Sequence, residues 1–214
     1  MEDFISPKLL LSLNFRETYL EISSTDKDYQ KLFDFGGQIS VLFDKSEIKN
    51  DPNTVAILDD LLGAIYCLIL AKYHNFKDRS DQKIENEVIP TRAEQIKKGD
   101  VRIEGAWIAG WHFNSSLFRI AAIYHRLLKL IEGSTSKDYK DKLLKNVKKS
   151  YKNWTGEDWS KINTEAIHEE VNTLKHGIQG LYFARNVTFQ HALTSISDLL
   201  KLIEAWSNAN HNSN

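Results

Sequence analysis

The chain has 214 residues, of which 42% are hydrophobic and 27% are charged, and these proportions are typical of a soluble globular protein. Its single cysteine, Cys67, excludes a disulfide framework, and the acidic start MEDFISPKLL predicts a chain without a secretory signal. The net charge of −1 is unevenly spread, because residues 1–60 carry six basic and twelve acidic side chains, whereas residues 137–152 carry seven lysines and two aspartates. This asymmetry favours an anionic partner or self-association through opposite patches.

The N-terminal part of the chain predicts helices. Ser6 and Pro7 are typical of a helix start, and residues 26–43 carry apolar side chains at helical spacing. The segment DPNTVAILDDLLGAIYCLILAKYHNF has a wide apolar face and predicts a long helix. Its most apolar part, residues 61–71, is too short to span a bilayer, so we predict a cytoplasmic protein without membrane association.

The middle of the chain combines a charged segment with an apolar helix. Residues 77–102 contain thirteen charged side chains and predict a surface excursion, either a loop or a loop with a short helix. Residues 103–133 predict a central helix that is apolar around most of its circumference. One narrow polar stripe runs along this helix and consists of His112, Ser115, Arg119, Arg126 and Lys129.

The C-terminal part predicts three more helices. The first has a buried seam at successive i+4 positions, formed by Tyr139, Leu143, Val147 and Tyr151. Its exposed side is expected to carry Lys142, Lys145, Lys148 and Lys149. Residues 163–176 predict a second helix, and the last helix is expected over about 181–206, before a frayed tail at 207–214. Without a repeat or a convincing strand, the sequence predicts one all-α domain over residues 1–214, a bundle of six or seven helices.

The sequence offers little for metal or cofactor chemistry. It has no Cys/His cluster for zinc, no glycine-rich phosphate loop and no serine-nucleophile motif, so we predict no metal and no cofactor. Glu165 and His168 have the Glu-x-x-His spacing of di-iron bundles. Such sites need a second pair of this kind, and a surface helix accounts for both residues.

The stretch from His168 to His191 concentrates polar residues of a different kind. His168, Asn172 and His176 lie at i, i+4 and i+8 and therefore on one helix face, with Lys175 beside them. A glycine turn follows, and after it comes ARNVTFQH, which ends at His191. These residues either cap helices and face solvent, or they form a ribonuclease site.

The segments EVNTLKHG and ARNVTFQHAL, near the end of an all-helical chain, resemble the HEPN superfamily. Its ribonucleases carry an Arg-x4–6-His motif, commonly with a polar residue directly after the arginine. The resemblance covers about residues 105–206 and assigns the motif to Arg185, Asn186 and His191. Arg119 and His125 have the same spacing, but no asparagine follows Arg119.

The resemblance implies a metal-independent endoribonuclease, of a toxin or antiviral-defence kind, in which a ribose 2′-hydroxyl attacks the adjacent phosphorus and the 5′-oxygen leaves. Histidine suits proton transfer near neutral pH, and the arginine fork suits the charge that develops on phosphate oxygens. The expected catalytic residues are Arg185, His191 and Asn186. The expected substrate-binding residues are Asn172, Lys175 and His176. The alternative is a non-catalytic HEPN-like module that binds a nucleotide or a protein partner.

The expected partners are RNA, a second copy of the chain, and an antitoxin or regulatory protein. HEPN ribonuclease sites form at a dimer interface, and on one straight helix Arg185 and His191 would be ~120° apart in azimuth and ~9 Å apart in rise. Either the last helix begins or kinks near Arg185, or two chains share the site. The aromatic residues expected at such an interface are Trp107, Trp111, Phe113, Tyr182 and Phe189. The lysine-rich residues 137–152 contact the RNA backbone or form a solvated outer face.

Overall fold

The computed structural model describes residues 26–45, 48, 50–74, 76, 105–132, 140–159, 166–167, 170–172 and 187–211. Side chains are described at all of these positions except 105–107, 132, 140–144 and 211. Within this part of the chain the protein is an all-α helical bundle without a strand, which confirms the predicted fold class. The charged segment predicted at 77–102 lies outside the described residues.

Five long helices follow one another along the described chain. They are α1 (Lys27–Phe43), α2 (Pro52–Tyr73), α3 (Gly105–Glu132), α4 (Lys140–Thr155) and α5 (Phe189–His211). Short helical stretches at 166–167 and 170–172 fall inside the segment where a further helix is predicted.

Side-chain caps set the starts of the first two helices. The Asp26 carboxylate accepts from the Asp28 N–H at 2.8 Å and caps α1. The Asp51 carboxylate accepts from two backbone N–H groups in the first turn of α2, each at 3.2 Å, and Pro52 occupies the first helical position. At the C-terminal end of α4, Gly156 has a φ of 75°, a conformation that strains residues other than glycine, and the helix ends before it.

Two contacts along α2 and α3 show that these helices are antiparallel. After the C-terminal end of α2, the ring of His74 stacks on the ring of His112, which lies in the first third of α3. Nearer the other end of both helices, Asp60 of α2 accepts a hydrogen bond from Arg126 of α3. The C-terminal end of α2 therefore lies beside the N-terminal part of α3.

The helices α1 and α5 run in the same direction. At their N-terminal ends, Lys72 of α2 pairs with Asp28 and lies 5.2 Å from the ring centroid of Phe189. At their C-terminal ends, Lys45 Nζ donates to Asn208 at 2.9 Å. The starts of α1, α3 and α5 and the end of α2 thus meet at one end of the bundle. We call this end the His191 end, and it holds residues 26–29, 72–74, 76, 111–113 and 187–191.

The centre of the core lies between α2 and α3, with α5 packed against α3. Fully buried side chains from these three helices include Leu58, Leu61, Leu68, Leu117, Ile120, Leu127, Leu193, Ile196 and Leu199. Each such side chain contributes about 1.5–3 kcal/mol through its removal from water. This core fixes the helix axes on which the candidate site depends.

Among the described residues, α2 is the one helix whose length and apolar composition would allow it to cross a membrane. Half of its most apolar 18-residue stretch is buried inside the bundle, however, and the core helix of a soluble protein passes the same test. Residues 61–71 alone are too short to span a bilayer, but the helix that contains them has 22 residues, so its length does not exclude a span. That the protein does not associate with a membrane therefore stays a prediction.

The last helix differs from its predicted limits at both ends. It was expected from about residue 181, but residues 187–188 are not helical and α5 begins at Phe189. It was also expected to fray after 206, but it continues to His211. Ser207 is 1% exposed and Asn208 accepts from Lys45, so the first residues of the predicted tail contact the bundle, while residues 212–214 lie outside the described part of the chain.

The seam predicted on α4 is confirmed where its side chains are described. Val147 and Tyr151 are buried, while Lys145, Lys148 and Lys149 are exposed. The other members of that prediction lie outside the described side chains, namely Tyr139, Lys142 and Leu143.

Asp198 of α5 occupies an unfavourable place for a carboxylate. Its Oδ2 atom is buried without a hydrogen-bond partner among the described residues. Burial raises the pKa of this carboxyl, against the opposing attraction of Lys201 and Lys31. When the folded pKa exceeds the unfolded pKa, the folded state binds more protons between the two values, so stability falls as the pH rises through that window.

We therefore expect Asp198→Asn to raise the melting temperature at neutral pH. The advantage should disappear at about pH 3, where the aspartate is protonated in both folded and unfolded chains. Thermal melts followed by circular dichroism at the two pH values measure the difference. A gain that is equal at both pH values would contradict the assignment of the effect to the buried charge.

Candidate functional site

The C-terminal motif is divided by the start of α5. Thr188 is the N-cap of this helix, since its carbonyl accepts from the Ala192 N–H at 3.3 Å. The Thr188 hydroxyl accepts from the His191 N–H at 3.2 Å, and the Thr188 N–H donates to His191 Nδ1 at 3.1 Å. This reciprocal pair is a capping box in which histidine holds the position usually taken by Glu or Gln. His191 therefore lies in the first turn of α5, and its side chain helps to start the helix.

The capping box selects one tautomer of His191. A backbone N–H is always a donor, so Nδ1 is the acceptor, and the neutral ring carries its proton on Nε2. In this state Nε2 donates to an anion but has no lone pair that could take up a proton. Proton transfer at Nε2 requires either the other tautomer or the imidazolium, and both place a proton on Nδ1 against the Thr188 N–H. Opening of the box therefore precedes proton transfer and costs about 1 kcal/mol.

The start of α5 at Phe189 changes the geometry expected for Arg185 and His191. Of the two arrangements considered, a helix that begins near Arg185 is closer to what is found, because α5 begins four residues after it. The separation calculated for one straight helix no longer applies. The motif geometry therefore ceases to argue that two chains share the site.

The other predicted site residues are mostly beyond the described part of the chain. Asn172 is described, and it is exposed within the helical stretch at 170–172. The remaining predicted residues lie outside the described residues, namely Arg185, Asn186, Lys175 and His176. Of the predicted set, His191 is the residue whose contacts are known.

Lys72 fastens the first turn of α5 to two other helix ends. Its ammonium group pairs with Asp28 and lies 2.9 Å from Asp26 Oδ1. It also lies 5.2 Å from the ring centroid of Phe189 and 5.7 Å from that of Tyr29. Burial acts to raise the pKa of Asp26, but hydrogen bonds from Lys72 and from the Asp28 N–H outweigh it and lower the pKa. One charged group thus joins the starts of α1 and α5 to the end of α2.

Three stacked phenylalanines lie beneath the turn that carries His191. The ring centroids of Phe76 and Phe113 are 4.2 Å apart, and those of Phe113 and Phe189 are 6.2 Å apart. Phe113 is 0% exposed and Phe189 is 7% exposed. These rings hold the N-terminal end of α5 against α3.

The burial of Phe113 and Phe189 corrects their expected place at a dimer interface. Both are core residues of one chain, because α5 packs its first turn onto α3 and covers them. Trp111, by contrast, is 67% exposed. Trp107 and Tyr182 lie outside the described side chains.

A histidine pair forms part of the same end of the bundle. The rings of His74 and His112 are nearly parallel, at an interplanar angle of 11° and a centroid distance of 5.8 Å. Burial and then the neighbouring His74 lower the pKa of His112, which favours its neutral ring. The sequence placed His112 in a polar stripe but gave no signal for His74, because the two residues meet only through the packing of α2 on α3.

In the second Arg-x5-His pair, Arg119 forms an ion pair with Asp60 of α2. Arg119 Nη1 donates to Asp60 at 2.9 Å, and Arg126 donates to the other oxygen of the same carboxylate. Gly63 leaves room for the Arg119 side chain, since a Cβ atom there would lie 2.9 Å from Nη1. Arg119 therefore ties α3 to α2.

Among the described residues, no group of three or more His, Cys, Asp or Glu side chains could hold a metal ion. No family model, no curated protein and no solved structure matches the chain. The candidate site is therefore defined by the C-terminal motif and by the contacts of His191.

Proposed function

We propose that the protein is a metal-independent endoribonuclease of HEPN type, in which Arg185 and His191 act on one phosphodiester at the N-terminal end of α5. The observation that carries this proposal is the position of His191 in the first turn of that helix. Backbone N–H groups and the positive end of the helix dipole favour a phosphate there. Arg185 precedes Thr188 by three residues, which span at most about 11 Å, so its long side chain can reach the same phosphate.

The proposed reaction is transesterification at phosphorus. The ribose 2′-oxygen forms a bond to the adjacent phosphorus and loses its proton, while the bond to the 5′-oxygen breaks and that oxygen gains a proton. The products are a 2′,3′-cyclic phosphate and a 5′-hydroxyl. Arg185 stabilises the charge on the non-bridging oxygens, and His191 transfers a proton after the capping box opens. Asn186 orients the ring or holds the phosphate, and flanking contacts come from Asn172, Lys175 and His176.

The capping box favours a second candidate function, a HEPN-like module that binds a nucleotide or a protein partner without cleaving RNA. In the capped state, His191 Nε2 donates a hydrogen bond to a phosphate but transfers no proton. Opening the box at about 1 kcal/mol lowers a rate by less than about tenfold. The two candidates therefore differ in whether the protein cuts RNA or only binds a nucleotide or a protein partner.

Three further parts of the proposal go beyond the geometry of the candidate site. They are a homodimer, an antitoxin or regulatory partner, and a cytoplasmic role in a toxin or defence system. Among the aromatic residues proposed for the dimer interface, Trp111 is the described one that remains accessible.

We expect the purified chain to cut labelled total RNA in EDTA and to leave 2′,3′-cyclic phosphate ends. Arg185→Ala and His191→Ala should each abolish cutting, because the first removes the phosphate ligand and the second removes the proton carrier. Arg119→Lys is the matched control. It alters the other Arg-x5-His pair and keeps a positive charge beside Asp60, so it should cut like the wild type.

RNA cutting that requires Mg²⁺, or that persists without His191, would contradict the proposed mechanism. RNA that is bound in EDTA but stays intact would support the second candidate instead. Gel electrophoresis of the fragments and filter binding of the same RNA distinguish these outcomes.

A further inference from the structure

The helix α4 presents a face of lysines to solvent. Lys145, Lys148, Lys149 and Lys152 are all exposed, and helical geometry places them within an arc of about 100°. Val147 and Tyr151 are buried on the opposite side of the helix. We call these four lysines the lysine face.

The positive charge of the lysine face is largely uncompensated. Residues 145–155 contain no acidic side chain. Lys152 Nζ donates to Asp158 at 2.8 Å, but none of the other three lysines pairs with a carboxylate among the described residues. The chain as a whole has a net charge of −1, so this concentration of positive charge is a local feature.

We infer that the lysine face binds the phosphate backbone of the RNA strand that is cut at the start of α5. This inference rests on the proposed function, because it assigns the surface that holds the same substrate. Lysine is a flexible point charge that neutralises phosphates without reading the bases. From Lys145 to Lys152 the face extends about 10 Å along the helix, and a stacked strand presents one phosphate about every 3.4 Å. The face therefore matches about three consecutive phosphates.

The helix α4 packs against α3 and α5 through the side that carries Val147 and Tyr151, so the lysine face lies on the outer surface of the bundle. On the packed side, the ring of Tyr151 lies 6.0 Å from that of Trp159. Burial raises the pKa of Tyr151, and Glu157, Asp198 and Glu204 add to the effect. Because α4 and α5 are neighbouring helices, a strand that leaves the start of α5 reaches the lysine face by passing over the outside of α4.

The acidic side chains of residues 1–60 in a second copy are the competing occupant of this face. RNA is favoured because a strand offers closely and regularly spaced charges along the whole length of the face. A second copy bound to this face would make the protein a dimer in solution, and the measured mass would show it.

The test compares two triple variants in the full chain, each of which removes three positive charges. The test variant is Lys145→Gln, Lys148→Gln and Lys149→Gln. The control variant is Lys27→Gln, Lys45→Gln and Lys201→Gln. Lys27 and Lys201 are exposed, and glutamine at position 45 can still donate to Asn208. Thermal melts should show that both variants fold like the wild type.

The probe is a fluorescent single-stranded 2′-O-methyl RNA, which lacks the nucleophile and so is not cut during the measurement. Fluorescence anisotropy gives the binding constant over a series of salt concentrations. Each lost phosphate contact lowers the slope of log K against log salt by about 0.7, so the test variant should lower it by about 2. We also expect at least about tenfold weaker binding at about 0.1 M salt, and an unchanged slope for the control variant.

Equal effects of the two variants would overturn the inference, because net charge alone would then explain the binding. A wild-type dimer that the test variant dissociates, measured by light scattering, would assign the face to a second copy and overturn it too. An unchanged slope in the test variant, together with wild-type cutting in EDTA, would overturn this inference and leave the proposed function standing. Failure of the wild-type chain to bind the probe or to cut RNA would remove both.

Discussion

His191→Gln is expected to abolish RNA cutting while it leaves the melting temperature within about 1 °C of the wild type. Glutamine is a normal occupant of this position in a capping box, and its side-chain oxygen can accept from the Thr188 N–H in place of Nδ1. It cannot carry a proton near neutral pH, and the loss of an acid–base group lowers a rate by about 10²–10⁴-fold. Cutting of labelled RNA in EDTA and thermal melts of the same preparations measure the two effects.

Two further variants separate the cap from the chemistry. His191→Ala should lose cutting and also about 1 kcal/mol of stability, a fall of about 2–4 °C in melting temperature. Thr188→Ala removes the hydroxyl that accepts from the His191 N–H, so it should cost about 0.5–2 kcal/mol but keep cutting. If His191→Gln cuts RNA at the wild-type rate, His191 is a capping residue and has no part in catalysis.

Phe113→Ala is expected to lower the free energy of unfolding by about 3–5 kcal/mol. The ring is fully buried and stacks between Phe76 and Phe189, so its removal leaves a cavity between α3, the start of α5 and the residue that follows α2. For a chain of this size the melting temperature should fall by about 6–20 °C. Because Phe189 begins the turn that carries His191, cutting should also fall at temperatures where the chain is still folded.

Trp111→Ala is the matched control for this prediction. Trp111 lies two residues earlier on the same helix and is larger, but it is 67% exposed, so its replacement should change stability by no more than about 0.5 kcal/mol. Denaturant unfolding of both variants gives the comparison. Comparable losses in the two would show that the exposed ring is packed against something in solution.

The fold class and most of the helices followed from local patterns. For α2, the wide apolar face of its sequence indicated a long helix, and the structure has it. The start of α5 was missed because the apolar pattern continues back to about residue 181. Its true start depends on a histidine in a capping box and on Lys72, which is distant in sequence. The tail was predicted to fray because its contact with Lys45 has no local signature.

Less of the candidate site than of the fold could be predicted from the sequence. The motif drew attention to His191, but not to the hydrogen bond at Nδ1 that decides its tautomer. A Thr-x-x-His spacing at a helix start is the signal that could have indicated it. His74 and its stack on His112 carry no such signal, because their contact arises from the antiparallel packing of α2 and α3.

The directions of the helices bring several helix ends together beside His191. The chain enters or leaves the described helices at Asp26, Phe76, Gly105 and Val187, all at the His191 end. The short connection at 44–51 joins α1 to α2 at the opposite end. Substitutions at the His191 end therefore act directly on the candidate site, whereas substitutions at 44–51 reach it only through the helices.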